Sequence, residues 1–148
     1  MESSAAWEGS LAGVELTGVW ADDVLAVAES QLGYRESTAN YAVMDDGETT
    51  KGITRYGQWY GDPYGDWCAM FVSFCLNYAA IPQTAIPYEA DCQRWIDALA
   101  APEWALYREA GAYAPRKGDL VFFNTDDDES ADQVGLVQKL EENTLTVL

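Results

Sequence analysis

The order in which hydrophobic patterns follow one another most constrains the fold of this chain. Three stretches place apolar residues at helical spacing, and they span residues 24–32, 67–80 and 89–100. Three runs with strand character come after them, at residues 119–123, 134–140 and 144–148. Helices followed by strands indicate an α+β fold. The 148 residues, 49% of them apolar, favour one core, with residues 1–19 as a frayed leader or linker and residues 20–148 as the domain.

Capping residues suggest where the helices begin and end. An aspartate, Asp22 or Asp23, is expected to cap the first helix, and Gly33 is expected to stop it. Asp66 is expected to cap the second helix, which would place Cys68 at its second position. The second helix is so apolar that we expect it to be the buried central helix.

The charge of the chain limits its partners. Eight basic and 25 acidic residues give a formal net charge of −17 at pH 7. This charge repels nucleic-acid phosphates and anionic membrane surfaces, so neither is an expected partner. The first residues lack the basic and apolar regions of a signal peptide, and no apolar run approaches the roughly 20 residues that span a bilayer.

Three cysteines and the lack of histidine define the chemistry open to this chain. Unpaired N–H groups and the helix dipole at a helix N-terminus lower a thiol pKa, so Cys68 is a candidate nucleophile. The alternative is a small buried hydrophobe, and that interpretation is kept for Cys75 and Cys92. Spacing excludes a disulfide between Cys68 and Cys75, which leaves only a bridge that involves Cys92. Without histidine or paired cysteine motifs, no metal site and no cofactor are expected.

The segment around Cys68 resembles a known family. Residues 67–73 read Trp-Cys-Ala-Met-Phe-Val-Ser and follow an aromatic stretch at residues 56–66. Further matching stretches come in order along the chain, at residues 28–34, 118–123 and 132–137. Together they are similar to the CHAP family, the cysteine, histidine-dependent amidohydrolases and peptidases, over residues 20–148.

The resemblance implies a papain-like fold, with Cys68 as nucleophile at a helix N-terminus packed on a C-terminal antiparallel sheet. It implies an amidase or endopeptidase that cuts amide bonds in bacterial peptidoglycan, in a parent protein that is secreted or associated with the cell wall. The family has a histidine, its general base, where this chain has Gln133 in Asp132-Gln133-Val134-Gly135. Glutamine cannot accept the proton, so we expect little or no hydrolysis.

Aromatic side chains before the cysteine are candidate contacts with a peptide or glycan. The candidate substrate-binding residues are Tyr56, Trp59, Tyr60, Tyr64, Asp66 and Trp67. The alternative for the aromatic residues is ordinary packing of a long surface loop over residues 36–62. Acidic stretches at residues 44–48 and 124–129 offer oxygen atoms that suit calcium, but neither has EF-hand spacing, and solvated acidic loops are the expected interpretation.

Three functions are therefore open from the sequence. The first is the impaired peptidoglycan hydrolase. The second is a pseudoenzyme module that binds peptidoglycan, its stem peptides or a protein partner through the aromatic loop and the cleft. The third is an assembly role, in which the apolar strand ending at Leu148 pairs with another segment or with another copy as a swapped dimer. Because the sequence stops inside that strand, the domain is expected to be truncated at its C-terminus.

Overall fold

A computed structural model of the chain describes residues 4–34, 41–43, 50–125, 129–141 and 144–147. Within these ranges the helices are α1 (Ser4–Ser10), α2 (Trp20–Ser30), α3 (Arg55–Tyr60), α4 (Cys68–Tyr78) and α5 (Cys92–Ala100). The strands are β1 (Tyr41–Val43), β2 (Thr50–Gly52), β3 (Leu120–Phe123), β4 (Gln133–Glu141) and β5 (Thr144–Val147). The predicted α+β class is confirmed. In these ranges no helix has the length and apolar character needed to cross a bilayer.

The three C-terminal strands form an antiparallel sheet with the order β3-β4-β5. Strand β3 pairs with β4 so that Phe123 lies opposite Gln133, and β4 pairs with β5 through an irregular register between Val137 and Lys139. The strand-type runs of the sequence therefore form strands close to their predicted positions. A separate antiparallel pair, β1 and β2, lies earlier in the chain.

Helix α4 lies at the centre of the core. It packs against α2, α3 and β4. Its buried residues are Ala69, Met70, Val72, Ser73, Phe74, Cys75 and Leu76. A helix that is apolar on almost every face can remove its side chains from water only in the interior of a domain. The prediction of a buried central helix is confirmed.

Helix α5 is attached to the rest of the core by Trp95. The indole is fully buried, with 0% of its surface exposed. Its Nε1 donates a hydrogen bond to the Pro87 carbonyl at 2.9 Å, and its ring lies 6.0 Å from the ring of Phe122 on β3. One side chain therefore connects α5 both to the segment before it and to the sheet.

The segment expected to be a frayed leader contains helix α1. Trp7 on this helix is 8% exposed, and its Nε1 donates to the Tyr78 hydroxyl on α4 at 2.9 Å. The prediction is therefore wrong for residues 4–10, because one large aromatic side chain secures an otherwise small and polar stretch against the core. The domain boundary at residue 20 stays a prediction.

Helix α2 begins at Trp20, earlier than predicted, and Asp23 lies within its first turns. The buried Asp23 carboxylate reaches back and accepts hydrogen bonds from Thr17 N and Thr17 Oγ1, both at 2.8 Å, and from Gly18 N at 3.0 Å. The predicted cap at Asp22 or Asp23 is thus wrong in position, although Asp23 does satisfy the backbone before the helix. These hydrogen bonds, led by the one from Thr17 N, lower the pKa of Asp23 below its usual 3.8 against the opposing effect of burial.

Replacing Asp23 with asparagine should destabilise the fold at neutral pH. A carboxyl whose pKa is lowered by folding contributes stability that is present above its unfolded pKa and is lost as the pH falls through the folded pKa. We therefore expect a lower urea midpoint for Asp23→Asn at neutral pH and a smaller difference under strongly acidic conditions. Asp22→Asn is the matched control: Asp22 forms an exposed ion pair with Lys117, 2.5 Å away, and such pairs contribute only about 0–1 kcal/mol. Equal effects of the two substitutions at all pH values would contradict this prediction.

The long loop predicted over residues 36–62 contains regular structure in its described part, where β1, β2 and α3 lie. Thr54 caps α3, because its Oγ1 accepts a hydrogen bond from Gly57 N at 2.9 Å, and Gly61 ends the helix with a φ of 107°. A Cβ at Gly57 would lie 2.4 Å from the Asp62 carbonyl oxygen. Gly57 therefore allows close backbone approach and Gly61 ends a helix, although in the sequence both read as loop signals.

Candidate active site

Helix α4 begins at the candidate nucleophile. Cys68 is its first residue, Trp67 occupies the N-cap position, and no side chain caps the helix. The predicted cap at Asp66 and the second helical position for Cys68 are therefore wrong by one residue. The side chain of Cys68 is half-buried at the start of the helix, where the backbone N–H groups of the first turn have no partner within the helix.

Helix α5 begins with a second cysteine. The helix starts at Cys92, later than the predicted residue 89, because Asp91 is its N-cap and accepts a hydrogen bond from Arg94 N at 2.8 Å. Cys92 is 6% exposed and belongs to the hydrophobic core. Its burial agrees with the interpretation of Cys92 as a small core residue.

The sulfur of Cys68 contacts the start of strand β4. Val134 N donates a hydrogen bond to the sulfur at 3.2 Å, and the thiol can donate to the Val134 carbonyl, also at 3.2 Å. Gln133 Oε1 lies 3.8 Å from the same sulfur. Because α4 packs on β4, the structure brings together the two residues that the family resemblance paired.

The neighbours of Cys68 favour its thiolate. The hydrogen bond with the Cys92 thiol has the largest effect and, with the Val134 N–H, lowers the pKa of Cys68 to about 7. Burial and the nearby Asp132 carboxylate act in the opposite direction, because both disfavour negative charge on sulfur. The pKa of Cys92 is raised, first by the hydrogen bond with Cys68 and then by burial. Near neutral pH a substantial fraction of Cys68 is therefore nucleophilic thiolate.

Gln133 lies beside the Cys68 sulfur, but its amide cannot act as a general base. Its amide oxygen can accept a hydrogen bond from the thiol, and its NH2 group, after rotation, can donate one to the thiolate. Neither orientation removes the proton or delivers it to a leaving group.

The adjacent Asp132 carboxylate accepts hydrogen bonds from Thr125 N at 3.0 Å and Thr125 Oγ1 at 2.6 Å. These bonds connect the segment after β3 to the start of β4.

Cys75 lies apart from this site. It is fully buried in α4, and burial raises the pKa of its thiol. A neutral thiol without access to solvent is a poor nucleophile. The interpretation of Cys75 as a small core residue agrees with its position.

The aromatic candidates for substrate binding lie in two different environments. Tyr56 is 1% exposed, and its ring stacks on that of Trp67 with centroids 5.4 Å apart. Tyr56 is therefore a packing residue, because it has no free surface for a ligand. Trp59 and Tyr64 are half-buried, and Tyr60 is 38% exposed, so these three retain surface that a ligand could contact.

Trp67 also lines a small apolar cavity. The cavity has a volume of about 180 Å³, and its walls include Leu32, Tyr34 and Phe71. Leu32 is 69% exposed and lies beyond the end of α2 at Ser30, although the helical apolar pattern of the sequence extends to it. Asp66, next to Trp67, is exposed. The residues that precede Cys68 thus combine an apolar recess with a charged side chain in water.

The described ranges contain no group of three or more His, Cys, Asp or Glu side chains placed to hold a metal ion. Of the acidic stretches considered for calcium, residues 44–48 and 126–128 lie outside the residues that the structure describes. The interpretation of these stretches as solvated acidic loops therefore stays a prediction.

No protein-family model, no curated protein and no solved structure matches the chain. The CHAP resemblance therefore rests on sequence motifs, chiefly those around Cys68 and Gln133, and what it implies is a proposal.

Proposed function

We propose that this chain is a CHAP-type cysteine amidohydrolase domain directed at peptidoglycan, with Cys68 as nucleophile and Gln133 in the position of the base. The observation that carries the proposal is the contact of the Cys68 sulfur with the start of β4, where Gln133 Oε1 lies 3.8 Å away. A half-buried thiol with a lowered pKa at the start of a helix meets the requirements of nucleophilic catalysis. A papain-like arrangement and a secreted or cell-wall-associated parent protein belong to the same proposal.

The site supports attack on a carbonyl better than it supports turnover. The Cys68 thiolate attacks the carbonyl carbon, and N–H groups at the start of α4 stabilise the resulting oxyanion. Expulsion of an amine requires a proton on its nitrogen, and Gln133 has no proton to transfer. Hydrolysis of the acyl-enzyme then requires a base for water, which Gln133 again does not provide. The proposed enzyme is therefore acylated by activated substrates and hydrolyses amides weakly.

Substrate recognition in this proposal depends on specific contacts rather than on overall charge. The net charge of −17 repels anionic wall polymers at low ionic strength. The partly exposed rings of Trp59, Tyr60 and Tyr64 offer flat apolar faces, and the cavity beside Trp67 fits an apolar side chain. These features favour the stem peptides as the part of peptidoglycan that is bound.

A binding module is the second candidate, and the amide of Gln133 favours it because an amide cannot act as a general base. Such a pseudoenzyme binds peptidoglycan or a protein partner without cutting it, and its binding survives Cys68→Ala.

The assembly role proposed for the C-terminal strand concerns β5, which lies at an edge of the described sheet. It would show itself as an oligomer whose population rises with protein concentration.

Reaction with an activated ester tests the proposed chemistry. With a p-nitrophenyl ester of an N-acetylated amino acid, we expect one rapid release of nitrophenolate per protein molecule, followed by slow turnover. The nitrophenolate leaves without a proton, whereas the later hydrolysis lacks a base. The mass of the intact protein should increase by one acyl group, which peptide analysis should place on Cys68.

Two variants make this experiment decisive. Cys68→Ala should abolish both the burst and the added mass, whereas Cys75→Ala, which removes a sealed thiol, should retain them. A burst that survives Cys68→Ala would overturn the assignment of the nucleophile. In parallel, purified peptidoglycan should yield at most traces of cleavage products by mass spectrometry. Retention of the protein on that material without acylation of Cys68 would favour the binding module.

A further inference from the structure

The start of β4 has a backbone edge that Cys68 occupies in place of a strand. Val134 N donates a hydrogen bond to the Cys68 sulfur at 3.2 Å, and the Val134 carbonyl oxygen lies 3.2 Å from the same sulfur. On its other side β4 pairs with β3, where Val134 lies opposite Phe122. In the described ranges, β5 pairs with β4 only from Val137 onward. The sulfur therefore lies against backbone groups that a neighbouring strand would otherwise bind.

Acylation of Cys68 changes what these groups can bind. The thiol can donate its hydrogen to the Val134 carbonyl or, at 3.8 Å, to Gln133 Oε1. A thioester has no S–H group, so both oxygens then lose the thiol as a donor. They lie beside the sulfur that carries the acyl group and favour a nucleophile that brings hydrogen-bond donors of its own. A primary amine brings two such hydrogens and a lone pair.

We propose that this site transfers an acyl group from an activated ester to the primary amine of a neutral or cationic peptide, in preference to water. The inference rests on the proposed acylation of Cys68 and adds a second substrate to it. Two geometric features carry it. The Val134 N–H bonds with the sulfur, and the carbonyl oxygens of Val134 and Gln133 can accept hydrogen bonds from the amine.

The transfer balances in two steps. The Cys68 thiolate attacks the ester carbonyl carbon, a C–S bond forms, and the alcohol part leaves with its electron pair as an alkoxide or phenolate. The neutral amine then attacks the thioester carbonyl carbon and forms a C–N bond. The C–S bond breaks, its electron pair returns to sulfur as the thiolate, and the surplus proton on nitrogen passes to solvent. The products are an amide and the free thiolate, without any oxidation.

An amine completes this cycle without a general base, whereas water does not. Attack by water requires a base that removes its proton, and the Gln133 amide does not take it. A peptide amine is nucleophilic in its neutral form, which it adopts with a pKa of about 8. The pKa of Cys68, lowered to about 7, is below that value, so sulfur leaves the intermediate more readily than the amine does. The Val134 N–H also bonds with the departing thiolate.

The charge of the protein limits the acceptor. The net charge is −17, and the Asp66 side chain is exposed two residues before Cys68. The Asp132 carboxylate also opposes negative charge on the sulfur. An acceptor that carries a carboxylate is therefore repelled, and added salt reduces the repulsion. A neutral or cationic peptide amine is the acceptor that fits these surroundings.

The test begins with the acylated protein. Cys68 is acylated with a p-nitrophenyl ester of an N-acetylated amino acid, and the remaining ester is removed by rapid gel filtration, because it would react with amines directly. Glycylglycinamide is then added slightly above neutral pH. We expect acylated glycylglycinamide as the main product rather than the free acid. The acyl group should leave the protein about 10²-fold faster than it leaves a thioester of N-acetylcysteinamide at the same amine concentration. Mass spectrometry follows the protein and both products.

Three comparisons connect this reaction to the site. Gln133→Leu removes an acceptor oxygen and should form the amide more slowly, whereas Gln138→Leu, elsewhere on β4, should form it as fast as the parent chain. Gln133→His should shift the products toward the free acid, because an imidazole activates water. Glycylglycine, which differs from glycylglycinamide by an anionic end, should react more slowly at low salt than at high salt. Equal rates in Gln133→Leu and the parent chain would overturn the role of Gln133, and equal rates with the two acceptors would overturn the charge preference.

The transfer proposal and the hydrolase proposal can fail separately. The amine is added only to protein whose mass already shows one acyl group, so a negative result there concerns the second step alone. If acylated Cys68 loses its acyl group no faster with glycylglycinamide than without it, acyl transfer is overturned and the nucleophile is retained. The same conclusion follows if the protein reacts no faster than the N-acetylcysteinamide thioester. A chain that is never acylated at Cys68 would overturn both proposals.

Discussion

Replacing Gln133 with histidine is expected to convert slow turnover into measurable hydrolysis, with an increase of about 10²–10⁴-fold in the rate of deacylation. The imidazole would replace the side-chain amide of Gln133, whose Oε1 lies 3.8 Å from the Cys68 sulfur. A group that titrates near neutral pH can take the thiol proton, protonate a leaving amine and activate water. The measurement is steady-state ester hydrolysis after the burst, together with mass spectrometry of peptidoglycan products.

The control for this variant is a histidine elsewhere on the same strand. Gln138→His makes the same chemical change on β4, but five residues along a strand correspond to roughly 17 Å. It should leave the rate unchanged, and Gln133→His combined with Cys68→Ala should be inactive. A folded Gln133→His protein whose acylated Cys68 turns over no faster than in the parent chain would contradict the base position assigned to residue 133.

Replacing Trp95 with alanine is expected to lower the free energy of unfolding by about 3–5 kcal/mol. The indole is fully buried, its Nε1 bonds with the Pro87 carbonyl, and its ring packs near that of Phe122. Its removal leaves a cavity and an unsatisfied carbonyl oxygen between α5 and the sheet. Urea unfolding at neutral pH measures the loss.

Trp20→Ala serves as the matched control because it removes the same side chain from a position that is 50% exposed. Substitutions of exposed residues usually change stability by no more than about 0.5 kcal/mol. A loss below about 1 kcal/mol for Trp95→Ala would contradict the packing of α5 described above, and a loss equal to that of Trp20→Ala would do so most directly.

Periodicity predicted the elements that carry long apolar patterns. The central helix and the three C-terminal strands lie close to their expected positions because each carries a continuous apolar pattern of its own in the sequence. The helix starts were less accurate. In the sequence, Asp66 and Asp22 resemble N-cap residues. The N-cap of α4 is instead Trp67. In α2, Asp23 lies within the helix and accepts a hydrogen bond from Thr17, which precedes it. Capping depends on where a side chain can reach, which one-dimensional spacing does not specify.

Other predictions differed because long-range packing overrides local composition. Trp7 secures a stretch that reads as a polar leader, and Tyr56 is enclosed in the core although it lies among residues that read as a surface loop. In both cases a distant element supplies the contacts, α4 for Trp7 and the ring of Trp67 for Tyr56. Local sequence contains no information about such partners.

The sequence by itself determined the α+β class, the central apolar helix and the residue types at the site: a cysteine at a helix start and a glutamine where the family resemblance leads us to expect a histidine. Only the tertiary structure decided that Gln133 and Val134 lie against the Cys68 sulfur. The physical reason is that periodicity and residue type act within one element. The pKa of a thiol and its possible reaction partners depend on which atoms other elements bring within a few ångströms of it.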